Sequence, residues 1–267
     1  ADRYISYVDR NIRFPGLFIS YPTVPQDHPD RVALAAMNEI ITMGRKSFFY
    51  KEFILTQKAI QASGFNSPQE LAGLITFLVL PFPGTPLADF ETEMRAILDT
   101  FNADSISDDD ILIYKATREA SLINSLASVS GKVRNLAANE TYLNDPNMIQ
   151  KDLDDIRALT REDILRVYNT YIKDKPAIYL SVVPEGGEDI IAQADNFEIP
   201  SRPPSISSST ESLEERDAPE SFDRFIRPTP PPNPLVTMPD YWRQDLNNGI
   251  EVIGTSSTEV PLVSIRL

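Results

Sequence analysis

The chain contains a single histidine, His28, and no cysteine. Those two counts restrict the chemistry its side chains can perform. A zinc helix of the His-Glu-x-x-His or His-x-x-Glu-His kind needs two imidazoles converging from one face, and this sequence has only one to give. A Ser-His-Asp or Cys-His site needs an oriented imidazole base. His28 stands in "PQDHPD", just ahead of a helical pattern, where it reads as a turn or cap residue. The acidic run "SDDDI" places Asp108, Asp109 and Asp110 in succession. A calcium loop would set its acids at alternate positions around a glycine. Three consecutive carboxylates after Ser107 fit the first turn of a helix, where they meet the positive end of the dipole. "DLDDIR" (Asp152 to Arg157) reads as a solvated helix face. "MGRKS" (Met43 to Ser47) pairs two cations with a glycine, but no strand leads into it, so it reads as a turn between helices and not as a phosphate loop. Phe48, Phe49, Tyr50 and Phe53 read as core.

The elements that would position these residues come from a chain of 267 residues with 42% apolar and 24% charged residues, a globular composition. No apolar run is long enough to span a bilayer, and the first residues carry no apolar signal region. The net charge of −14 argues against nucleic-acid and anionic-lipid partners. That charge is concentrated: from Glu185 to Asp240 twelve Asp or Glu stand against four Arg, a balance of −8.

Three regions follow. Residues 1–183 alternate apolar-patterned segments with short polar breaks. Residues 184–240 change character: ten of the 22 prolines lie between Pro200 and Pro239, and the stretch buries too little to offset its ordering entropy. They read as an acidic, extended linker. Residues 241–267 contain an Asn248-Gly249 turn between apolar alternations and read as a hairpin opening a following domain.

Within the first region, Leu17 to Val24 and Ala177 to Pro184 read as strands, and Leu71 to Phe82 as a buried one. Val32, Ala35, Ala36, Met37 and Ile40 mark one helix. Phe49, Phe53 and Lys58 to Ile60 suggest a second. Thr85 and Pro86 read as the cap and first residue of a third, with Leu87, Phe90, Met94, Ile97, Leu98 and Phe101 as its stripe. A single long helix is expected from Ser107 towards Pro146, with Gly131 as its weak point. Asp145 with Pro146, and Thr160 with Asp163, open two shorter helices. The predicted class is α+β, with an antiparallel-type sheet covered on one face by helices.

The segments in this order resemble the non-zinc, C-terminal-type domain of the insulinase or pitrilysin family of zinc metallopeptidases. The likeness begins with the strand ending near Pro25, the "HPD" turn at His28 to Asp30, the Ala-rich helix and the break at Gly44. "SFFYKEF" (Ser47 to Phe53) then stands where the family has a Ser-Arg-Leu-Tyr-Lys type segment. It continues through the "PFPG" turn, the long helix ending in "NDP", the Thr160/Asp163 step and the strand "YLSVVPEG". "LNNGIEV", with Leu246, Asn248, Gly249, Ile250 and Val252, is similar to the opening hairpin of the family's zinc-type domain. The resemblance covers nearly all of the chain outside the linker.

The resemblance implies a LuxS/pitrilysin-like domain that carries neither zinc ligands nor the Arg and Tyr with which other members assist the transition state. At the positions matching that pair this chain has Ile54 and Gln61. No catalytic, cofactor-binding or metal-binding residue is therefore expected in this chain. Zinc is expected in a parent protein. There the domain would form part of the wall of a peptide-degrading chamber, beside a zinc-type domain and a second half, with peptide as substrate and no membrane insertion. The alternative is a catalytically inactive scaffold or partner subunit. For location, the resemblance suggests the periplasm or cell envelope.

Overall fold

The computed structural model describes residues 1–200 and 239–256, with positions 225, 226, 229, 232, 261 and 263–265. The core of the predicted linker, residues 201–224, lies outside the described residues. Two compact units are present, Ala1–Glu198 with Val260–Leu267, and Ile199–Glu259.

In the first unit the order is β1 (Arg3–Asp9), β2 (Gly16–Thr23), α1 (Arg31–Thr42), a π-helical turn (Tyr50–Ile54), β3 (Ala59–Pro68), β4 (Gly73–Pro81) and α2 (Leu87–Thr100). There follow α3 (Asp108–Ser125), α4 (Val129–Leu143), α5 (Ile149–Ala158), α6 (Arg161–Tyr171) and β5 (Ile178–Pro184). The five strands form one sheet in the order β1-β5-β2-β4-β3. All pairs are antiparallel except β1 with β5, which run parallel.

This is the predicted α+β architecture. Successive strand residues point to opposite faces, and in β2, β4 and β5 the residues of one face are buried. On one face stand Leu17, Ile19 and Tyr21 of β2, Ile75, Phe77 and Val79 of β4, and Tyr179 and Val183 of β5. They meet Leu34, Met37 and Ile41 of α1, Leu87, Phe90, Met94 and Leu98 of α2, and Ile164, Val167 and Tyr168 of α6 in one apolar core. Phe49 and Phe53, whose rings lie 5.4 Å apart, fill the same core from the π-helical turn.

Four details correct the sequence expectations. β1 was not expected as a strand. The helical pattern through Lys58–Ile60 gives way to strand, because Gln57 turns the chain at φ 58° and the next residues find a longer ladder on β4. The single long helix is two helices, α3 and α4, broken at Leu126–Ser128. Ser128 accepts the Gly131 N–H at 3.0 Å and starts α4 afresh. Gly131 marks a close approach here, since a Cβ there would lie 1.8 Å from the Ser125 carbonyl oxygen. α2 begins after Pro86, without a side-chain cap from Thr85, and α5 begins at Ile149, beyond the Asp145–Pro146 turn. Ser107 caps α3 as read, here in a capping box with Asp110, and the Thr160/Asp163 capping box forms as read.

Residues 184–198, which composition groups with the linker, belong to the first compact unit, and Ala192 is buried. In the second unit β6 (Tyr241–Asp245) and β7 (Glu251–Thr255) form an antiparallel hairpin. Gly249 supplies its turn at φ 83°, and Gly254 leaves room for the Trp242 indole, which a Cβ there would meet at 2.1 Å.

α1 sits on β3 at Gly64. A Cβ on Gly64 would fall 2.3 Å from Asn38 Oδ1 and 2.7 Å from Thr42 Cγ2, both on α1. Gly64→Ala should therefore cost roughly 1–3 kcal/mol, the usual penalty of overpacking a close contact. Urea unfolding checks this, with a lowered midpoint at unchanged slope as the expected outcome.

Candidate functional site

The helices cover one face of the sheet and leave the other open. The alternation places Ile5 and Tyr7 of β1, Ile178, Leu180 and Val182 of β5, and Phe18 and Ser20 of β2 on the open face. β4 adds Leu74, Thr76, Leu78 and Leu80, and β3 adds Ser63 and Phe65. The only strand charges on this face are Arg3 and Asp9, at the two ends of β1. In a chain with 24% charged residues, such a surface is a candidate for contact with another apolar body. Its hydroxyls are paired internally, Ser20 with Thr76 at 2.9 Å. Leu80 lies over Gly16, where a Cβ would come within 2.8 Å of its side chain. The face is largely apolar, and its polar groups are hydroxyls and amides with no imidazole or thiol among them.

At the margin of the sheet, β3 pairs only with β4. A cleft of about 860 Å³ opens beside it, lined among others by Asn38, Gly64, Phe65, Asn66, Tyr114 and Arg118. Asn38 Nδ2 donates to the Gly64 carbonyl at 3.1 Å, so the middle of this edge is partly satisfied from α1. Its two guanidinium groups are paired, Arg118 with Glu39 and Arg31 with Asp152 and Asp155, while Asn38 Oδ1, Asn66 Oδ1 and Arg118 Nε are buried without a hydrogen-bond partner.

The residues singled out for chemistry do not converge. His28 Nδ1 accepts the Asp30 N–H at 3.1 Å, within the turn ahead of α1. Asp108 pairs with Arg161, Asp109 lies 3.9 Å from Lys46, and Asp110 closes the Ser107 capping box. Gly44 makes its turn at φ 78°. Ile54 ends the π-helical turn, and Gln61 lies exposed on β3. The donor set does not fit a zinc ion. The sole imidazole is engaged with Asp30, and among the described residues no three His, Cys, Asp or Glu side chains are grouped to hold a metal.

Sequence reasoning missed the Asp30 clamp. Asp30 is buried, accepts from Arg166 Nη1 at 2.7 Å and from Tyr171 Oη at 2.7 Å, and so ties the start of α1 to α6. Burial alone would raise its carboxyl. The hydrogen bonds from Tyr171 and Arg166 outweigh burial and hold it below the ordinary carboxylate range. The signal was present in the "HPD" turn, but its partners lie more than a hundred residues away.

The fold and the open face define a helix-backed α+β domain. Residues 2–118 match the family model described as the Peptidase M16 inactive domain. The resemblance to the insulinase/pitrilysin-type family thus holds, and this stretch carries a domain of its inactive type. Solved structures share the fold. A protease from Helicobacter pylori is 22% identical, with a TM-score of 0.62, over 68% of this chain and 44% of its own. The chain thus spans less than half the length of that relative. An inactive peptidase domain from Bordetella parapertussis is 17% identical with a TM-score of 0.57, over 66% of this chain and 96% of its own. The peptidase M16 inactive domain from Pseudomonas fluorescens is 16% identical with a TM-score of 0.54, over 68% of this chain and 42% of its own. No curated protein matches the sequence.

The clamp sets a pH dependence. Because the folded pKa of Asp30 lies below its unfolded value, the unfolded chain binds the proton first as pH falls. The contribution is complete above about pH 4 and is lost as pH drops through the folded pKa. Asp30→Asn should cost about 1–2 kcal/mol at pH 7, a charged hydrogen-bond loss discounted for the half-exposed Arg166. The gap between wild type and variant should narrow below about pH 4, as urea unfolding across pH will show.

Proposed function

We propose that this chain is the non-catalytic domain of a zinc-dependent peptidase, and that its open sheet face forms part of the wall of a chamber confining peptide. The observation that carries this reading is the uncharged face itself. Five strands present large apolar side chains on the side away from the helices, in a domain of the M16 inactive type. A largely apolar surface, whose strand charges stand only at the two ends of β1, makes contact with extended chains of varied sequence and demands no particular side chain of them. On this reading the metal and its ligands sit in an adjacent zinc-type domain, and a second half closes the chamber. Residues 199–240 would join the halves, with the hairpin of β6 and β7 as the first element of the next domain. The absence of a helper pair at Ile54 and Gln61 agrees with this placement, since neither side chain stabilises an oxyanion as Arg or Tyr does.

The chain alone should bind no stoichiometric zinc and hydrolyse no peptide. Metal analysis and a quenched-peptide assay check this, and either activity would overturn the proposal. In the zinc-bearing protein, Phe18→Glu with Leu180→Glu should lower peptide hydrolysis roughly tenfold, the effect of about 1.4 kcal/mol of lost binding. Zinc content should stay unchanged. Unaltered hydrolysis would remove the open face from the peptide's path. A full-length protein holding no zinc and cleaving nothing would favour the scaffold role instead.

A further inference from the structure

Asn248 is the only asparagine of the chain that a glycine follows. A glycine nitrogen has no side chain beside it to block its approach to the amide of the preceding residue. We propose that Asn248 is a site of spontaneous covalent modification, cyclising on Gly249 and opening to aspartate or isoaspartate, and that the folded β6–β7 turn gates the reaction. The inference is independent of the peptidase reading.

The step takes water as its one co-reactant, and nothing is oxidised or reduced. The Gly249 nitrogen gives its proton to solvent base and bonds to Asn248 Cγ. The Cγ–Nδ2 bond breaks, and Nδ2 takes up a proton and leaves as ammonia. The product is a cyclic imide. Water then adds to one ring carbonyl and breaks its bond to the Gly249 nitrogen. Opening at the former side-chain carbonyl leaves aspartate on an unaltered main chain. Opening at the main-chain carbonyl leaves isoaspartate, with the main chain rerouted through the side chain.

The turn brings the two groups together and holds the nucleophile back. The Leu246 N–H donates to the Ile250 carbonyl at 2.8 Å, and the Gly249 N–H to the Leu246 carbonyl at 3.0 Å. With Gly249 at φ 83°, this is a three-residue loop closed by a glycine bulge. Asn248 Oδ1 accepts the Ile250 N–H at 3.2 Å, which folds the side-chain amide back along the Gly249 peptide. That bond also draws electron density away from Cγ and favours attack on it. Asn248 is exposed, and nothing stands within 4 Å of the place a Gly249 Cβ would take. The restraint is the bond from the Gly249 N–H to Leu246, which must break before the nitrogen can turn towards Cγ.

Little holds this turn shut. β6 and β7 form a sheet of two strands, and every residue of β6 is exposed. Their cross-strand support is an ion pair of Arg243 with Glu251 at 3.1 Å and the Trp242 indole over Gly254. Hairpins of two strands are marginal, so their turns open far below the free energy of global unfolding. The two products then differ in effect. Aspartate keeps a carboxylate oxygen for the Ile250 N–H. Isoaspartate adds a methylene to a backbone loop whose length sets the register of the strands, and Trp242 loses its place over Gly254. Trp242 is the chain's single tryptophan, so its emission reports on this hairpin.

Incubating the 267-residue chain in mildly alkaline buffer, with peptide mass mapping and an enzymatic isoaspartate assay, tests the proposal. The peptide bearing position 248 should turn from amide to acid and score as isoaspartate, ahead of Asn66 and Asn124, the asparagines that a serine follows. In urea the same site should react several times faster, and Asn248→Gln should not react. Tryptophan emission should move to longer wavelength as isoaspartate accumulates. It should stay in place in fresh Asn248→Asp, which carries the charge without the added methylene. An intact amide at 248 after Asn66 and Asn124 have reacted would overturn the site. Equal rates in buffer and urea would overturn the gate. Emission that is unmoved by isoaspartate, or moved equally in fresh Asn248→Asp, would overturn the effect of the methylene on the hairpin.

Discussion

α1 meets the sheet at a residue without a side chain. At Gly64 the Asn38 amide lies where a Cβ would be, and Nδ2 donates to the glycine carbonyl. This close approach lets Leu34, Met37 and Ile41 reach the residues of β2 and β4 that face them. It also satisfies part of a marginal strand from behind. The other end of α1 is fixed by Asp30, bonded to Arg166 and Tyr171 on α6. Between these two anchors the helix has little freedom to roll, and the sheet acquires one covered side.

The open face follows from that asymmetry. Strands whose both sides are apolar normally lie between two layers of covering structure. Here α1, α2 and α6 cover one side, while Phe18, Leu180, Val182 and Leu80 remain half-buried on the other. The domain spends apolar residues on a surface that its own fold does not need. A second apolar body is the simplest use for such a surface, whether peptide or protein.

Much of this was legible in the sequence, and the rest failed for identifiable reasons. The stripes of α1 and α2, the caps at Ser107 and Thr160, and the strands β2, β4 and β5 all follow from local periodicity and capping chemistry. β1 was lost because "RYISYVD" is apolar or aromatic on both sides and charged at its ends, so no alternation shows. β3 was lost because its early residues continue the spacing of Phe49 and Phe53, and only pairing with β4 decides between helix and strand. The break between α3 and α4 hides in a run whose residues all tolerate helix; it rests on Ser128 as a cap and on the Asn135–Ser125 contact. The open face was half legible. Apolar runs such as "LITFLVL" declare strands with two apolar sides, but which side stays uncovered depends on where distant helices land.

The charge distribution carries the last step. The sheet's open face is free of charge apart from the ends of β1, while the acidic excess is gathered between Glu185 and Asp240. On the proposed reading this division suits two different tasks. The sheet face would contact chains of varied sequence with little electrostatic preference, and the acidic span would join the halves of the larger protein. Neither task asks for an imidazole, a thiolate or a metal, and the residue types of this chain are those such tasks need.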